Sequence, residues 1–143
     1  INRNFKINSG RSEILLTEIS VSTLLGKNEY LLVEKSISKD ELLNKFSDTE
    51  FTEAYFVDES DRLIGKVKVN EVLRAGNKIE PVYPLIIKES DTISEAIRKA
   101  SSFVGESIPI VGENGVVLGV ITEADLFSQY LTVQSTISNI EKD

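Results

Sequence analysis

Apolar and polar positions follow two periods along this chain, and the order of the periods occurs twice. The apolar run at residues 31–33 predicts a short strand. Ser38 and Glu41 have the spacing of a capping box, which opens a helix with Leu42, Leu43 and Phe46 on one face. Residues 54–57 read as a strand and Asp58 to Asp61 as a polar turn. Residues 63–69 form the returning strand, with Leu63, Gly65, Val67 and Val69 on one face and Lys66 and Lys68 on the other. A helix over 70–75 stops at Gly76-Asn77. The series then starts again. Residues 85–87 predict a strand, and Thr92 and Glu95 a capping box. Ile93, Ala96, Ile97, Ala100 and Phe103 form a helical stripe. Residues 108–111 and 116–121 are strands joined through Glu113-Asn114-Gly115, a hairpin signal, and 123–131 is the closing helix. The run at 116–121 is almost wholly apolar, which predicts burial on both faces.

The two series superpose without a gap at an offset of 54 residues, Leu31 on Leu85, Ser36 on Ser90, Val57 on Val111 and Gly65 on Gly119. One β-α-β-β-α unit has been used twice, and two such units stack to share a core. The fold class is α+β, with the repeats related by a pseudo-twofold axis and a ligand cleft between them. The boundaries are a lead-in over 1–25, a first repeat over 26–78, a second over 79–131 and a tail over 132–143. A short helix is expected in the second half of 13–25, and the tail either extends the last helix or is disordered.

Composition narrows the chemistry. A length of 143 residues suits one domain, and at this size folding buries roughly 70% of the unfolded surface. The net charge of −7 argues against nucleic-acid binding and a polybasic membrane-surface role. The absence of cysteine and histidine excludes Cys/His nucleophiles, histidine bases, zinc sites built from those ligands, and disulfides. No apolar run is long enough to span a membrane. The chain starts at Ile1 and lacks methionine, as expected of a piece of a longer protein. No nucleophile with a base, P-loop or metal cluster is present, so an enzyme is not expected. Asp58, Glu59 and Asp61 have no calcium-loop spacing and read as a solvated turn.

The repeated unit, its length and the run Gly119-Val-Ile-Thr122-Glu-Ala-Asp125 resemble a CBS domain, and the tandem copy resembles a Bateman module over about residues 13–131. That resemblance implies regulatory binding of an adenine nucleotide, ATP, ADP or AMP, with no required cofactor. Thr122 falls at a helix start, where its hydroxyl and free backbone N–H groups reach a phosphate or ribose. Asp125, one turn on, has a carboxylate suited to two ribose hydroxyls. The alternative is that Thr122 is only the N-cap and Asp125 a favourable first-turn charge. In the first repeat Lys68 and Glu71 stand at these positions, leaving one well-formed site, with Lys68 either near a phosphate or simply exposed. The resemblance places base contacts at Phe51 and Thr52, although Phe51 also suits the core, with Val82, Tyr83 and Pro84 as a weaker wall.

The lead-in Phe5 to Arg11, the following Leu16 to Val21, and Ala124 to Tyr130 resemble the segments that flank CBS pairs in CLC-type chloride channels and transporters. This implies a module at the cytosolic face of a membrane, attached to a membrane-embedded domain of the same protein and forming a homodimer. Other hosts, such as magnesium transporters or dehydrogenases, stay open. A ligand-free dimerisation module is the alternative, with Val72, Leu73, Leu126, Phe127, Tyr130 and Leu131 as the associating faces.

Overall fold

The structure, a computed structural model, describes residues 16–103 and 105–142, with side chains of the last helix described to residue 135. The run from Phe5 to Arg11, with Ile14 and Leu15, lies outside the described residues.

A 3-10 turn at Val21–Leu24 precedes β1 (Leu31–Glu34), α1 (Lys39–Ser47), β2 (Glu53–Val57), β3 (Leu63–Lys68) and α2 (Val69–Arg74). The second series is β4 (Ile87–Lys88), α3 (Ile93–Ala100), β5 (Ile108–Val111), β6 (Val117–Ile121) and α4 (Glu123–Lys142). Each repeat holds a three-stranded sheet in which the first strand runs parallel and the third antiparallel to the second. Of the expected capping boxes the N-cap half is seen, with Glu41 N donating to Ser38 Oγ and Glu95 N to Thr92 Oγ1, both at 3.2 Å.

The repeat extends to irregularities. The β2–β3 ladder shifts register between Phe56 and Val57, and the β5–β6 ladder between Ile110 and Val111, the equivalent step. Asp61 has φ 63° and Gly115, its counterpart, φ 78°. Both hairpins therefore need a left-handed residue at the same point. Asp61 tolerates it because Asp58 holds the turn, its Oδ1 accepting from Ser60 N and Arg62 N.

Three apolar clusters follow. One lies under each sheet, and a third joins the sheets through Tyr55, Val57, Leu63, Val111, Val117 and Val120. Leu63 N donates to Gly115 O (2.8 Å) and Val117 N to Asp61 O (3.3 Å). These bonds exchange under the repeat offset, which puts the pseudo-twofold axis at the Arg62–Val116 bridge.

Each repeat receives its lead-in from elsewhere in the chain. Leu16, Val21 and Leu24 are buried in the core of the second repeat, and Ile93 N bonds Ile19 O. Ile79 packs on the core of the first repeat. The short helix expected before residue 25 is a 3-10 turn, because Ser20 and Val21 are drawn into bonds with Glu89 O and Asp91 O. The strand expected at 85–87 is only Ile87–Lys88. The chain before it is held at Val82 by two backbone bonds to Lys66 of the other repeat, so the ladder starts late. The burial expected along 116–121 fails at Leu118, which is 37% exposed. The closing helix continues through the tail to Lys142, anchored by buried Val133.

Candidate functional site

The repeat symmetry creates two clefts, one on each side of the axis. The Thr122 cleft, of about 190 Å³, is lined by Asn28, Tyr30, Phe51, Thr52, Ser107 and Thr122 among others. The Lys68 cleft, of about 380 Å³, is lined by Lys66, Lys68, Glu71, Val82, Pro84 and Phe103 among others.

Of the sequence-derived candidates, Phe51, Thr52 and Thr122 share the first cleft, and Asp125 is tied to its wall through Asn28. Lys68 lies in the second cleft, away from those four. Phe51 is half-buried and belongs to none of the three apolar clusters, so its ring is available as a wall.

The start of α4 is partly closed on itself. Thr122 N donates to Asp125 Oδ2 at 2.8 Å, and Asp125 N donates to Thr122 Oγ1 at 3.2 Å. This reciprocal box takes Thr122 N and Asp125 N, part of the set of groups expected to meet a phosphate. Asn28 Nδ2 adds a third bond, 2.7 Å to Asp125 Oδ2, and also bonds Val120 O at 3.2 Å. Among the described residues, the bonds made to the Asp125 carboxylate fall on Oδ2. The first repeat keeps half of the arrangement: Lys68 N donates to Glu71 Oε1 at 2.8 Å. Lysine offers no acceptor, so the other half is missing.

The loops before β2 and β5 meet across the axis. Thr52 Oγ1 bonds Glu106, its own repeat counterpart, and Ser107 Oγ donates to Glu53 Oε1, its counterpart, at 2.8 Å. Lys66 Nζ sits 2.8 Å from Glu53 Oε2 and donates to Ser107 O at 2.8 Å. Both side chains of this ion pair are nearly buried, at 9% and 6% exposed. Lys66 also lies 5.5 Å from the Tyr55 ring and 5.4 Å from the Phe103 ring. Burial pushes the Tyr55 phenol well above the usual range, with the Ser107 bond opposing and Glu53 adding. The phenol therefore stays protonated and holds Ser107.

Asn28, Tyr30, Tyr55 and the Glu53–Lys66–Ser107 network were not singled out as site residues from sequence. Alternation puts Lys66 on the face opposite the core residues of β3, but nothing local reveals that the other repeat covers that face. The usable signal was the offset itself, which pairs Glu53 with Ser107 and Thr52 with Glu106 at the axis. The acidic turn holds no metal-ligand group among the described residues. Its Asp58 pairs with Arg62 at 3.1 Å and its Glu59 with Lys35 at 3.0 Å.

Residues 81–132 match the family model of the CBS domain. No curated protein matches the chain in sequence. Among solved structures it is similar to CBSX2 in complex with AMP, at 19% identity over 81% of this chain and 98% of that one, TM-score 0.65. It is similar to the CBS domain of a CBS-domain-containing membrane protein from Sphaerobacter thermophilus, at 14% identity over 88% and 96%, TM-score 0.64. The cytosolic domain of the Mg2+ channel MgtE in complex with ATP is a third, at 21% identity, 82% of this chain, 51% of that one and TM-score 0.64. At these identities the likeness concerns the fold. Residues 81–132 thus match a CBS domain in sequence, and the described residues share the fold of solved CBS pairs, or Bateman modules.

Proposed function

We propose that this chain is a regulatory module that senses an adenine-containing ligand in the Thr122 cleft. The observation that carries this reading is the meeting of Phe51 and Thr52 from the first repeat with Thr122 from the second in one cleft. Phe51 offers a half-exposed ring for a base. Thr122 Oγ1 accepts from Asp125 N and keeps its own proton to donate to a ribose. The similar folds of CBSX2 with AMP and of the MgtE domain with ATP support the ligand class.

The cleft also explains how binding is transmitted. Asn28 and Tyr30 form its wall, and Leu16 to Leu24, just before them, are docked in the second repeat. A ligand that pulls on residues 28–30 therefore pulls on the chain leading into the module. It shifts a conformational balance only by its difference in affinity between the two arrangements. The host we propose is a CLC-type chloride channel or transporter, with the module at the cytosolic face, coupled to the membrane domain and acting without catalysis. This rests on the resemblance of residues 5–11, 16–21 and 124–130.

Thermal unfolding with adenosine, AMP and ATP beside their guanine counterparts tests the reading. A ligand at 100 times its dissociation constant adds about 2.7 kcal/mol, and each kcal/mol raises the midpoint by about 2–4 °C at this size. We expect an adenine-specific rise that Phe51→Ala removes. No rise with any adenine compound contradicts it.

A second reading has its own observation. A groove of about 400 Å³ between α3 and α4 is lined by Ile97, Ala100, Leu126, Phe127 and Tyr130, and Phe127 is 62% exposed. This apolar strip favours self-association into a homodimer. Sedimentation of the chain and of Phe127→Glu reads it directly: a dimer that the variant dissociates supports it, and a monomeric parent contradicts it.

A further inference from the structure

We propose that Lys66 makes the two clefts antagonistic: an anion in the Lys68 cleft draws Lys66 off Glu53 and weakens binding in the Thr122 cleft. The proposal rests on the reading of the Thr122 cleft as the adenine site and adds a regulation of it.

Three observations converge. First, one ion pair belongs to both clefts. Lys66 lines the Lys68 cleft and Glu53 lines the Thr122 cleft, yet Nζ and Oε2 are 2.8 Å apart. Both side chains are more than nine-tenths buried. Among the described residues Glu53 Oε2 accepts no hydrogen bond, so the Lys66 ammonium alone answers its charge.

Second, this pair holds the wall of the Thr122 cleft. Ser107 lines that cleft and is tied at three points. Its carbonyl accepts from Lys66 Nζ at 2.8 Å, and its hydroxyl donates to Glu53 Oε1 at 2.8 Å. The same hydroxyl oxygen lies 2.5 Å from the Tyr55 hydroxyl. Lys66 thus makes the first bond itself and fixes the carboxylate that takes the second. When its ammonium leaves, Ser107 and Glu53 lose their common anchor, and a buried carboxylate stands uncompensated in the wall.

Third, Lys66 has a second place to go. Its ammonium sits on a flexible four-carbon stem, and the Lys68 cleft that it lines has a volume of about 380 Å³. Lys68 is exposed in the same cleft, and Glu71 there is turned to the helix start, where Oε1 accepts from Lys68 N at 2.8 Å. An anion in this cleft therefore meets two lysines. The two positions of Lys66 exclude each other. A ligand in the Thr122 cleft favours the paired position, which keeps Ser107 and Glu53 in place, and an anion in the Lys68 cleft favours the other. Each ligand then weakens the other by the same factor.

The experiment uses inorganic pyrophosphate as the anion, at fixed ionic strength and without divalent metal. Added to the isotope-labelled chain, it should shift the amide signals of Lys66 and Lys68 and, with the same midpoint, those of Thr52 and Glu53 across the axis. Calorimetric titration with adenosine should then give a dissociation constant that rises with pyrophosphate and levels off about tenfold higher, within the span of roughly 5–150-fold usual for coupled sites. An anion that entered the Thr122 cleft itself would raise it without limit. In the double variant Lys66→Met, Glu53→Gln, whose amide spectrum reports its folding, the rise should vanish and the amides of residues 52 and 53 should stay still. A rise that never levels off, or one that persists in the double variant, overturns the proposal. So does a parent chain that binds no pyrophosphate, or one in which Lys66 and Lys68 respond and Thr52 and Glu53 do not. Failure of adenosine to bind the anion-free parent overturns the adenine reading instead; the amide titration, which needs no nucleoside, then decides the coupling.

Discussion

On the Thr122 side of the axis, Asn28 reaches the carbonyl of Val120 with its side chain. On the Lys68 side, Val82 stands at the same repeat position and meets Lys66 through two backbone bonds, 2.9 and 3.1 Å. The first arrangement keeps a polar side chain and a tyrosine, Tyr30, facing a cleft. The second makes a strand-like bridge walled by Pro84 and Val82. Phe51 has Gly105 as its counterpart, and the second repeat carries its aromatic two residues earlier, at Phe103, packed near Lys66. The two clefts also differ in charge, with four glutamates lining one and two lysines with one glutamate lining the other. Duplication fixed the backbone of both; side chains at a few equivalent positions made one an acidic, aromatic slot and the other a broader, more basic one. Equal folds thus carry unequal sites.

The largest effect expected from breaking this asymmetry is at Lys66. Lys66→Ala leaves Glu53 buried without its partner and should destabilise by about 3–5 kcal/mol. The double variant Lys66→Met, Glu53→Gln should recover much of that loss, and urea unfolding of the three proteins decides it. Equal losses in the single and double variants would contradict the pairing.

The glycines that let the lead-ins approach each sheet give the next contrast. A Cβ on Gly65 would lie 2.7 Å from Pro81 Cβ and 2.9 Å from Pro81 C, in a segment pinned by Val82. A Cβ on Gly119 would meet only the Cδ2 tip of Leu25, at 2.8 Å. Gly65→Ala should therefore cost about 1–3 kcal/mol and Gly119→Ala less. The reverse order in denaturant midpoints would show that the two lead-ins are not held as described.

Phe51→Ala should weaken adenosine by at least about tenfold, about 1.4 kcal/mol, while Phe103→Ala should not, as titration of both variants would show. The smallest effect belongs to Asn28→Ala. It removes two hydrogen bonds at the edge of the cleft and should lower stability by about 1 kcal/mol. A neutral result in chemical unfolding would remove Asn28 from the account.

Much of the fold was legible because duplication doubles every signal. A capping box or hairpin seen once is weak, but Ser38 and Thr92, or Asp61 and Gly115, at the same offset reinforce each other. What escaped was whatever depends on the partner repeat. Lys66 sits on the face that alternation sets opposite the core, yet it is buried because the second repeat covers it. The lead-in at 16–25 has apolar residues whose destination, the second repeat, has no local signature. The candidate site was legible at Phe51, Thr52 and Thr122, which the structure brings to one cleft. Lys68, the first repeat's counterpart of Thr122, lies in the other cleft, where the twofold geometry sends it. Asn28 had no signal, since its repeat counterpart is a valine.

The central claim is that only the Thr122 cleft takes the nucleoside. Calorimetric titration with adenosine measures the stoichiometry on the parent chain, Phe51→Ala and Phe103→Ala. The account predicts one site per chain, lost in Phe51→Ala and kept in Phe103→Ala. Two equivalents per chain, or binding that survives Phe51→Ala and disappears in Phe103→Ala, would contradict it.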